Sequence, residues 1–427
     1  MKWISLVRFG QKITTALSLV SVIALQALQA FPSTAEPNGP NRRWARRSAT
    51  LSISSSLYSS SSISYGANVR ETIRQSAAAW QRVADFNFFF ATSDAQNISS
   101  SRSGGDGISL ITIAATSENV LLFPNGGDSP PALTRLFFDR KGAISEADIV
   151  LNPYVRFSTD GSVDSYDLQT VLTHEIGHLL GLDHSLLPSS TMNPEISKNE
   201  IGHIFDFGRS LSSADVASIR SIYGSNIDNT DCCGAITGSI PPRSATGSPW
   251  LIWAEDPETG AVKAQVLSNK TGGFELSGLS EGKYQIFSQG TKPGSADLLD
   301  FGIISVESGG NIFLGSPIRF AIASFDSLLI GLNAGLSRCP VLMEPGGSYQ
   351  LFIGGLDLDP RAASFGSSSP FLEFSEASTV PIDYGNRITA RTVNIKVSKE
   401  ITRGEYSLFL DSVDRTRRYF VGAIIVE

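Results

Sequence analysis

The stretch LTHEIGHLLGLDHS, at residues 172–185, places three of the chain's four histidines within eleven residues. His174 and His178 lie four residues apart, so in a helix their side chains project from the same face. Apolar residues recur at helical spacing on another face, at Leu168, Leu172, Ile176 and Leu179. The pattern predicts an amphipathic helix that begins near Asp164 or Ser165, since either residue can cap its first turn.

Two histidines one helical turn apart can bind the same metal ion, and this spacing favours a zinc site. A catalytic zinc takes three protein ligands and keeps its fourth position open for water. Glu175, between His174 and His178, is then the candidate general base. A straight helix would carry a third histidine away from the ion, but Gly181 can end the helix in the left-handed conformation, so that His184 returns to it.

Other interpretations of the same residues remain open. Buried histidines that only satisfy hydrogen bonds would not need this spacing. A closed structural zinc site would need a fourth protein ligand and would have no use for Glu175. A degenerate site that binds metal without catalysis is a further alternative.

The segments HEIGHLLGLDHS and LLPSSTMNP, taken together, resemble the metzincin zinc metallopeptidases of the matrixin (peptidase M10) type. Ser185 directly follows the third histidine, as in matrixins, and Met192 stands where the Met-turn methionine is expected. The resemblance extends more weakly over residues 42–224. It implies an α+β metzincin-like catalytic domain, with a mixed twisted sheet and an active-site helix.

The resemblance implies a zinc-dependent endopeptidase that acts on protein or peptide substrates. One zinc ion on His174, His178 and His184 would activate a water molecule, and Glu175 would accept its proton. Met192 would form an apolar floor beneath the ligands. The alternatives are zinc hydrolysis of a non-peptide substrate, and an extracellular adhesive or binding protein with an inert zinc domain.

The sequence departs from animal matrixins in two respects. No cysteine precedes Cys232, so latency through a cysteine bound to zinc is excluded, and no histidine precedes His174 that could bind a second, structural zinc. Calcium could bind carboxylates, or these could be ordinary turn and strand-end residues; the candidates are Asp139, Glu146 and Asp148. His203 could line a substrate pocket or be a surface or structural residue.

Residues 1–35 carry basic side chains, then an apolar run, then small residues, which predicts a secretory signal peptide cleaved after Ala30 or Ala35. The apolar run is just long enough to be an uncleaved membrane anchor instead. We therefore expect a secreted protein with no membrane contact after cleavage, or a periplasmic or cell-surface protein if the signal is retained.

Within residues 42–224 the pattern predicts strands at ATLSIS, FNFFFA and GISLITIA, and a helix over ANVRETIRQSAAAWQRVADF with Trp80 in the core. Two further strands are expected around a turn at Lys141 and Gly142. The serine-rich residues 54–64 suggest an exposed loop. A last helix is expected to open with a capping box from Ser212 and Asp215.

A chain of 427 residues is long enough for two or three domains, and its net charge of −7 gives no general attraction to nucleic acid. The polar residues 225–233 suggest a linker. Beyond it, short strands at regular spacing predict two all-β sandwich modules, at residues 234–320 and 321–427. These modules could bind a surface or a polymer, or act as spacers.

The first β module resembles carboxypeptidase-regulatory-like, transthyretin-type domains, and the second is similar to Ig-like modules at a weaker level. The first resemblance rests on Thr271, Gly273, Phe274, Leu276, Gly278, Leu279, Gly282 and Tyr284. The chain has three cysteines, the neighbours Cys232 and Cys233 and the distant Cys339. In an oxidising compartment one of the neighbours could bridge to Cys339.

Overall fold

The computed structural model of the chain describes most residues beyond the predicted signal peptide. It covers residues 42–185, 187–200, 206–225, 232–240, 249–291, 298–314, 318–319, 328–332, 335–338, 340–356, 363–376, 381–385, 387–412 and 417–427. The predicted signal peptide and His203 therefore lie outside the described residues. Within the described ranges, no helix combines the length and apolarity needed to cross a membrane.

All the helices in the described ranges lie between residues 56 and 223. They are α1 (Ser56–Ser59), α2 (Val69–Gln81), α3 (Ser117–Val120), α4 (Leu168–Leu179) and α5 (Ser213–Tyr223), with short 3-10 turns at Gly126–Asp128 and Phe207–Arg209.

Six strands in the same part of the chain form one mixed sheet, and two more form a small parallel pair. They are β1 (Arg43–Trp44), β2 (Ser48–Ser54), β3 (Asn87–Ser93), β4 (Ser109–Thr112), β5 (Ala132–Phe138), β6 (Ala143–Leu151), β7 (Phe157–Ser158) and β8 (Tyr166–Asp167). The main order is β1-β6-β4-β2-β3, with parallel pairings, and β5 lies antiparallel beside β6. The predicted combination of a mixed sheet with helices is therefore present.

Helices α2 and α4 pack together over the sheet and share one hydrophobic core with it. Trp80 is fully buried there, as predicted, and its indole Nε1 donates a hydrogen bond to the carbonyl of Thr173 at 2.9 Å. The predicted apolar stripe of α4 is also buried, with Leu168, Leu172, Ile176 and Leu179 at most 1% exposed. Helix α4 is thus held on its apolar side, which leaves its histidine face for other contacts.

Two local predictions were wrong. Helix α4 does not begin near Asp164 or Ser165, because Asp164 adopts a positive φ of 58° and the small strand β8 intervenes before the helix. Its N-cap is Asp167. The serine-rich tract is not a simple exposed loop, because it contains the end of β2 and the short α1, whose Leu57 is buried.

The described residues 232–319 hold two sheets of short strands. These strands are β9 (Cys232–Ser239), β10 (Trp250–Glu255), β11 (Val262–Leu267), β12 (Gly273–Ser280), β13 (Gly282–Gly290), β14 (Leu298–Val306), β15 (Asn311–Phe313) and β16 (Ile318–Arg319). The sheet orders are β11-β10-β13-β14-β16 and β12-β9-β15. Strand β9 starts at Cys232, inside the segment predicted to be a linker.

The described residues 328–427 hold two more sheets. Their strands are β17 (Leu328–Leu332), β18 (Val341–Met343), β19 (Ser348–Leu356), β20 (Ala363–Ser367), β21 (Leu372–Glu376), β22 (Ile382–Asp383), β23 (Ile388–Val397), β24 (Gly404–Ser412) and β25 (Arg417–Val426). One sheet has the order β17-β19-β23-β21 with β22 beside β23, and the other has β18-β25-β24-β20. The division into two sandwich modules with the predicted boundaries stays a prediction.

Cys233, on β9, is disulfide-bonded. The side chain of Cys232 and all of Cys339 lie outside the described part of the chain. The choice of partner therefore stays open.

Candidate metal centre

Helix α4 presents His174 and His178, and its start is fixed by a buried carboxylate. Asp167 accepts a hydrogen bond from the backbone N–H of Thr170 at 2.8 Å, which caps the helix. The guanidinium of Arg209 donates to both oxygens of the same carboxylate, at 3.1 and 2.5 Å. This pair compensates the charge of a fully buried Asp167 and anchors the helix that carries the histidines.

The three histidines of the opening motif converge on one point. The Nε2 atom of His178 lies 3.1 Å from Nε2 of His174 and 3.1 Å from Nε2 of His184. One ring nitrogen from each of these residues lies within 4.8 Å of the others. Among the described residues, these three histidines form the cluster whose side chains could hold a metal ion.

The two helical histidines have their other ring nitrogens fixed by backbone carbonyls. Nδ1 of His174 lies 2.7 Å from the carbonyl oxygen of Thr191, and Nδ1 of His178 lies 2.8 Å from that of Leu182. Because a carbonyl oxygen can only accept, each Nδ1 carries the hydrogen and each Nε2 presents a lone pair. Lone pairs that face one another at 3.1 Å repel unless a cation lies between them, so the donor set fits zinc.

The rings are kept neutral by their surroundings. Burial lowers the pKa of His174 well below its usual value, and it also lowers the pKa of His178. His184 is the most exposed of the three, but desolvation of its ring, with a contribution from His178, still lowers its pKa to about 4. Neutral imidazoles are the form that binds metal.

Gly181 ends the helix as the sequence predicted. Its φ of 99° is in the left-handed region, and a Cβ at this position would lie 2.2 Å from the carbonyl oxygen of Arg42. The backbone N–H of Leu182 turns back to the carbonyl of Gly177 at 3.1 Å. The chain leaves the helix here and brings His184 back towards the two helical histidines.

Met192 packs directly under the helical pair. It is buried, and a Cβ on Gly177 would lie only 2.2 Å from its sulfur and 2.8 Å from Cζ2 of Trp80. The approach is possible only because residue 177 is a glycine. Gly177 was not among the residues predicted from the sequence, although a glycine between the two histidines is visible in HEIGH.

The turn that contains Met192 is held by Asp215 of α5. This carboxylate accepts hydrogen bonds from the hydroxyl of Ser190 and from the backbone N–H of Thr191, the latter at 2.7 Å. It also forms the predicted capping box with Ser212. Burial raises the pKa of Asp215. The sequence indicated the capping role, but nothing in it showed the second contact.

Glu175 is buried beside the histidines, and Thr134 of β5 holds its carboxylate. The Thr134 hydroxyl donates to Oε2 of Glu175 at 2.5 Å. Burial raises the pKa of Glu175 to about 7, although the hydrogen bond from Thr134 acts in the opposite direction. The sequence did not predict a role for Thr134, because its proximity to Glu175 arises from the packing of β5 against α4.

The three carboxylates considered for calcium accept hydrogen bonds from backbone N–H groups. Asp139 accepts from Lys141 and Ala143 at 2.8 and 2.9 Å, as a turn residue does. Asp148 accepts from Ser99 and Leu110 at 2.8 and 2.9 Å, and burial raises its pKa to about 7.

Oε2 of Glu146 accepts from the backbone N–H of Gly107, whereas its buried Oε1 has no hydrogen-bond partner. The contacts of Asp139 and Asp148 therefore favour a structural role for those two carboxylates.

Comparison with known proteins identifies the region around this centre. Residues 129–224 match the matrixin family model. Matrilysin of Rattus norvegicus is 44% identical over 66 residues, which cover 16% of this chain and 23% of matrilysin. The hatching enzyme of Paracentrotus lividus is 36% identical over 95 residues, covering 21% and 15% of the two chains, and the metalloendoproteinase 2-MMP of Arabidopsis thaliana is 35% identical over 95 residues, covering 20% and 21%.

The chain thus spans less than a quarter of the length of each of these relatives. The matched residues hold the strand β5, all three histidines, Glu175 and Met192. Residues 129–224, which hold the candidate metal centre, are therefore similar to the matrixin family.

Proposed function

We propose that this chain is a secreted zinc-dependent endopeptidase. The observation that carries the proposal is the convergence of three Nε2 atoms, on His174, His178 and His184, beside the buried carboxylate of Glu175. A closed structural site would need a fourth protein ligand. Among the described residues the cluster contains the three histidines alone.

The histidines and Glu175 have separate roles in the proposed reaction. His174, His178 and His184 would hold the zinc ion, which would supply a Lewis acid and favour ionisation of water at neutral pH. Glu175 accepts a proton from the attacking water as the oxygen–carbon bond to the scissile carbonyl forms. It then gives that proton to the leaving nitrogen as the carbon–nitrogen bond breaks.

Thr134 acts as a positioning residue for this proton transfer. Its hydroxyl donates to Oε2 of Glu175, and this hydrogen bond restricts rotation of the carboxylate. Met192 supports the ligands from below, since its sulfur packs against α4 at Gly177, between His174 and His178.

A peptide substrate is favoured by strand β5. It pairs with β6 on one side, and no strand pairs with its other side among the described residues. An extended peptide can add to such an edge through backbone hydrogen bonds. Because Thr134 of the same strand contacts Glu175, a chain bound there would pass close to the proposed base.

Secretion is supported by the predicted signal peptide and by the disulfide bond of Cys233, since disulfides persist in oxidising compartments. Proteolysis is supported by the name of one matched relative, which is a metalloendoproteinase. Binding of the β-rich part of the chain, residues 232–427, to a surface or polymer stays a prediction.

The test uses the full chain after removal of the signal peptide. We expect one zinc per chain by mass spectrometry and cleavage of casein or gelatin. Glu175→Ala should keep the zinc and lose activity by about 10²–10⁴-fold, the usual contribution of a general base. The exposed Glu258→Ala is the matched control and should behave as the wild type. One zinc per chain without cleavage by any form, over a range of proteins, would indicate an inert domain.

A further inference from the structure

The loop between His184 and Met192 packs against residues beyond 224 as well as against the matrixin-like residues 42–224. Leu187 is fully buried, in a hydrophobic cluster drawn from three parts of the chain. Its members are Leu187 and Ala214, then Leu251, Trp253, Val262, Phe287 and Leu298, and finally Tyr419 and Val421. The loop that follows the third histidine is therefore anchored in a core made largely by the β-rich part.

Strand β25 lies directly on this loop. A Cβ on Gly422 would lie 2.6 Å from the hydroxyl oxygen of Ser189 and 2.8 Å from Cδ1 of Leu187. This close approach leaves no space for a side chain at position 422. Strand β25 and the loop are therefore in van der Waals contact.

One hydrogen bond reaches the residue next to the third histidine. Nε2 of Gln265, on β11, donates to the hydroxyl oxygen of Ser185. The backbone N–H of Ser185 in turn donates to the carbonyl of Met192 at 2.9 Å, and the N–H of Leu187 donates to the Ser185 hydroxyl at 3.1 Å. Ser185 thus connects His184 to the Met-turn, and Gln265 fixes Ser185 from outside.

Helix α5, whose Asp215 binds the Met-turn, also contacts the β-rich part of the chain. A Cβ on Gly278 of β12 would lie 2.0 Å from the carbonyl oxygen of Ala217. The backbone N–H of Ser213 donates to Oε1 of the buried Glu405 at 3.0 Å. Asp215, which binds the Met-turn, lies between these two contacts along α5.

We propose that the β-rich part of the chain is an intramolecular clamp that positions the third histidine and the Met-turn. Gln265 is a positioning residue that acts through Ser185, and the cluster around Leu187 holds the rest of the loop. This inference rests on the proposed zinc site, and it gives residues 232–427 a role within the matrixin domain rather than towards an external ligand.

The test is a double-mutant cycle in the full chain, read out by the rate at which zinc is lost to a chelator. Gln265→Met keeps the length of the side chain but removes the donor, and Ser185→Ala removes the acceptor. Residues that contact a metal ligand directly typically change metal affinity by about 10–100-fold. Gln265 acts one step further away, through Ser185, so we expect Gln265→Met to speed zinc release by a smaller factor, roughly 3–10-fold. The effect should vanish in the Ser185→Ala background, because the two residues act through one hydrogen bond.

Gln350→Met is the matched control, since Gln350 is exposed on β19. It should leave zinc release unchanged, and the unfolding temperatures of Gln265→Met and wild type should agree within a few degrees. Additive effects of Gln265→Met and Ser185→Ala, or a Gln265→Met rate equal to wild type, would overturn the clamp while the proposed function stands. A wild-type chain that binds no zinc would instead overturn the proposed function itself.

Discussion

The two halves of the candidate metal centre are built in different ways. His174 and His178 lie on one helix, their Nδ1 atoms are fixed by carbonyls of Thr191 and Leu182, and the helix is buried against the sheet. His184 lies on a loop without regular structure and is the most exposed of the three. Local sequence positions the first pair, whereas contacts from distant parts of the chain position the third residue.

The local sequence motif therefore determines the positions of the two helical histidines, whereas tertiary packing determines the position of His184. The spacing of four residues is sufficient to align two imidazoles on a helix. A loop residue has no such constraint, so its position depends on turn geometry and on packing. Substitutions on the helix should therefore remove the site, and substitutions around the loop should loosen it.

The largest effect is expected on the helix. His178→Ala removes the ligand whose Nε2 lies 3.1 Å from both others, so zinc binding and activity should both be lost, with activity reduced at least about 10³-fold. Zinc content after dialysis and casein cleavage measure this. His203→Ala, which changes the remaining histidine, is the control and should keep its zinc. Full zinc occupancy in His178→Ala would break the assignment of this ligand.

Gly181→Ala tests the turn that separates the two halves. A Cβ there would lie 2.2 Å from the carbonyl oxygen of Arg42, and the residue has a φ of 99°. We expect a loss of more than about 3 kcal/mol in the free energy of unfolding, measured in denaturant, together with weaker zinc binding.

Gly66→Ala is the matched control for the turn. Gly66 has a similar φ of 85°, but a Cβ on it would meet nothing within 4 Å, so only the left-handed conformation is penalised, at about 1–2 kcal/mol. Equal losses for the two variants would show that the contact with Arg42 does not matter.

Thr134→Val tests the strand that holds the base. Valine has nearly the same shape but cannot donate to Glu175, and a hydrogen bond to a charged group contributes about 1.5–3 kcal/mol. We expect kcat to fall about 10–100-fold, with KM and zinc content unchanged. Thr134→Ser should restore most of the activity because it restores the hydroxyl. A serine variant as slow as the valine variant would contradict the role of the hydroxyl.

The smallest effect concerns the support behind the loop. Burial raises the pKa of Glu405 to about 8, with Asp215 acting in the same direction and Lys263 in the opposite one. The folded protein therefore keeps a proton that the unfolded chain releases near pH 4.5, so stability falls as the pH rises from about 4.5 to about 8.

Glu405→Gln removes this titration and keeps an acceptor for Ser213. It should raise the free energy of unfolding on the order of 1–3 kcal/mol at pH 8 and have little effect at pH 5. Unfolding temperatures at the two pH values measure the difference. The exposed Glu258→Gln should change neither value, and a Glu405→Gln variant less stable than wild type at pH 8 would count against a protonated Glu405 in the folded state.

The sequence predicted the helical half of the site because its determinants are local. The histidine spacing, the apolar stripe, the end of the helix at Gly181 and the capping box at Ser212 each depend on residues within one or two turns. Thr134, Gly177 and Gln265 were missed, since their roles depend on which strands and helices pack together. The start of α4 was misplaced because several residues before it can cap a helix, and only tertiary contacts select Asp167.

The ligands of the proposed zinc ion can be observed by X-ray absorption at the zinc edge of the purified full chain. We expect three imidazole nitrogen ligands at about 2.0–2.1 Å and one further light ligand from solvent, without sulfur. The same three imidazoles should remain in Glu175→Ala. A sulfur ligand, a fourth imidazole, or an unchanged spectrum in His184→Ala would contradict a zinc ion held by His174, His178 and His184 with an open fourth position.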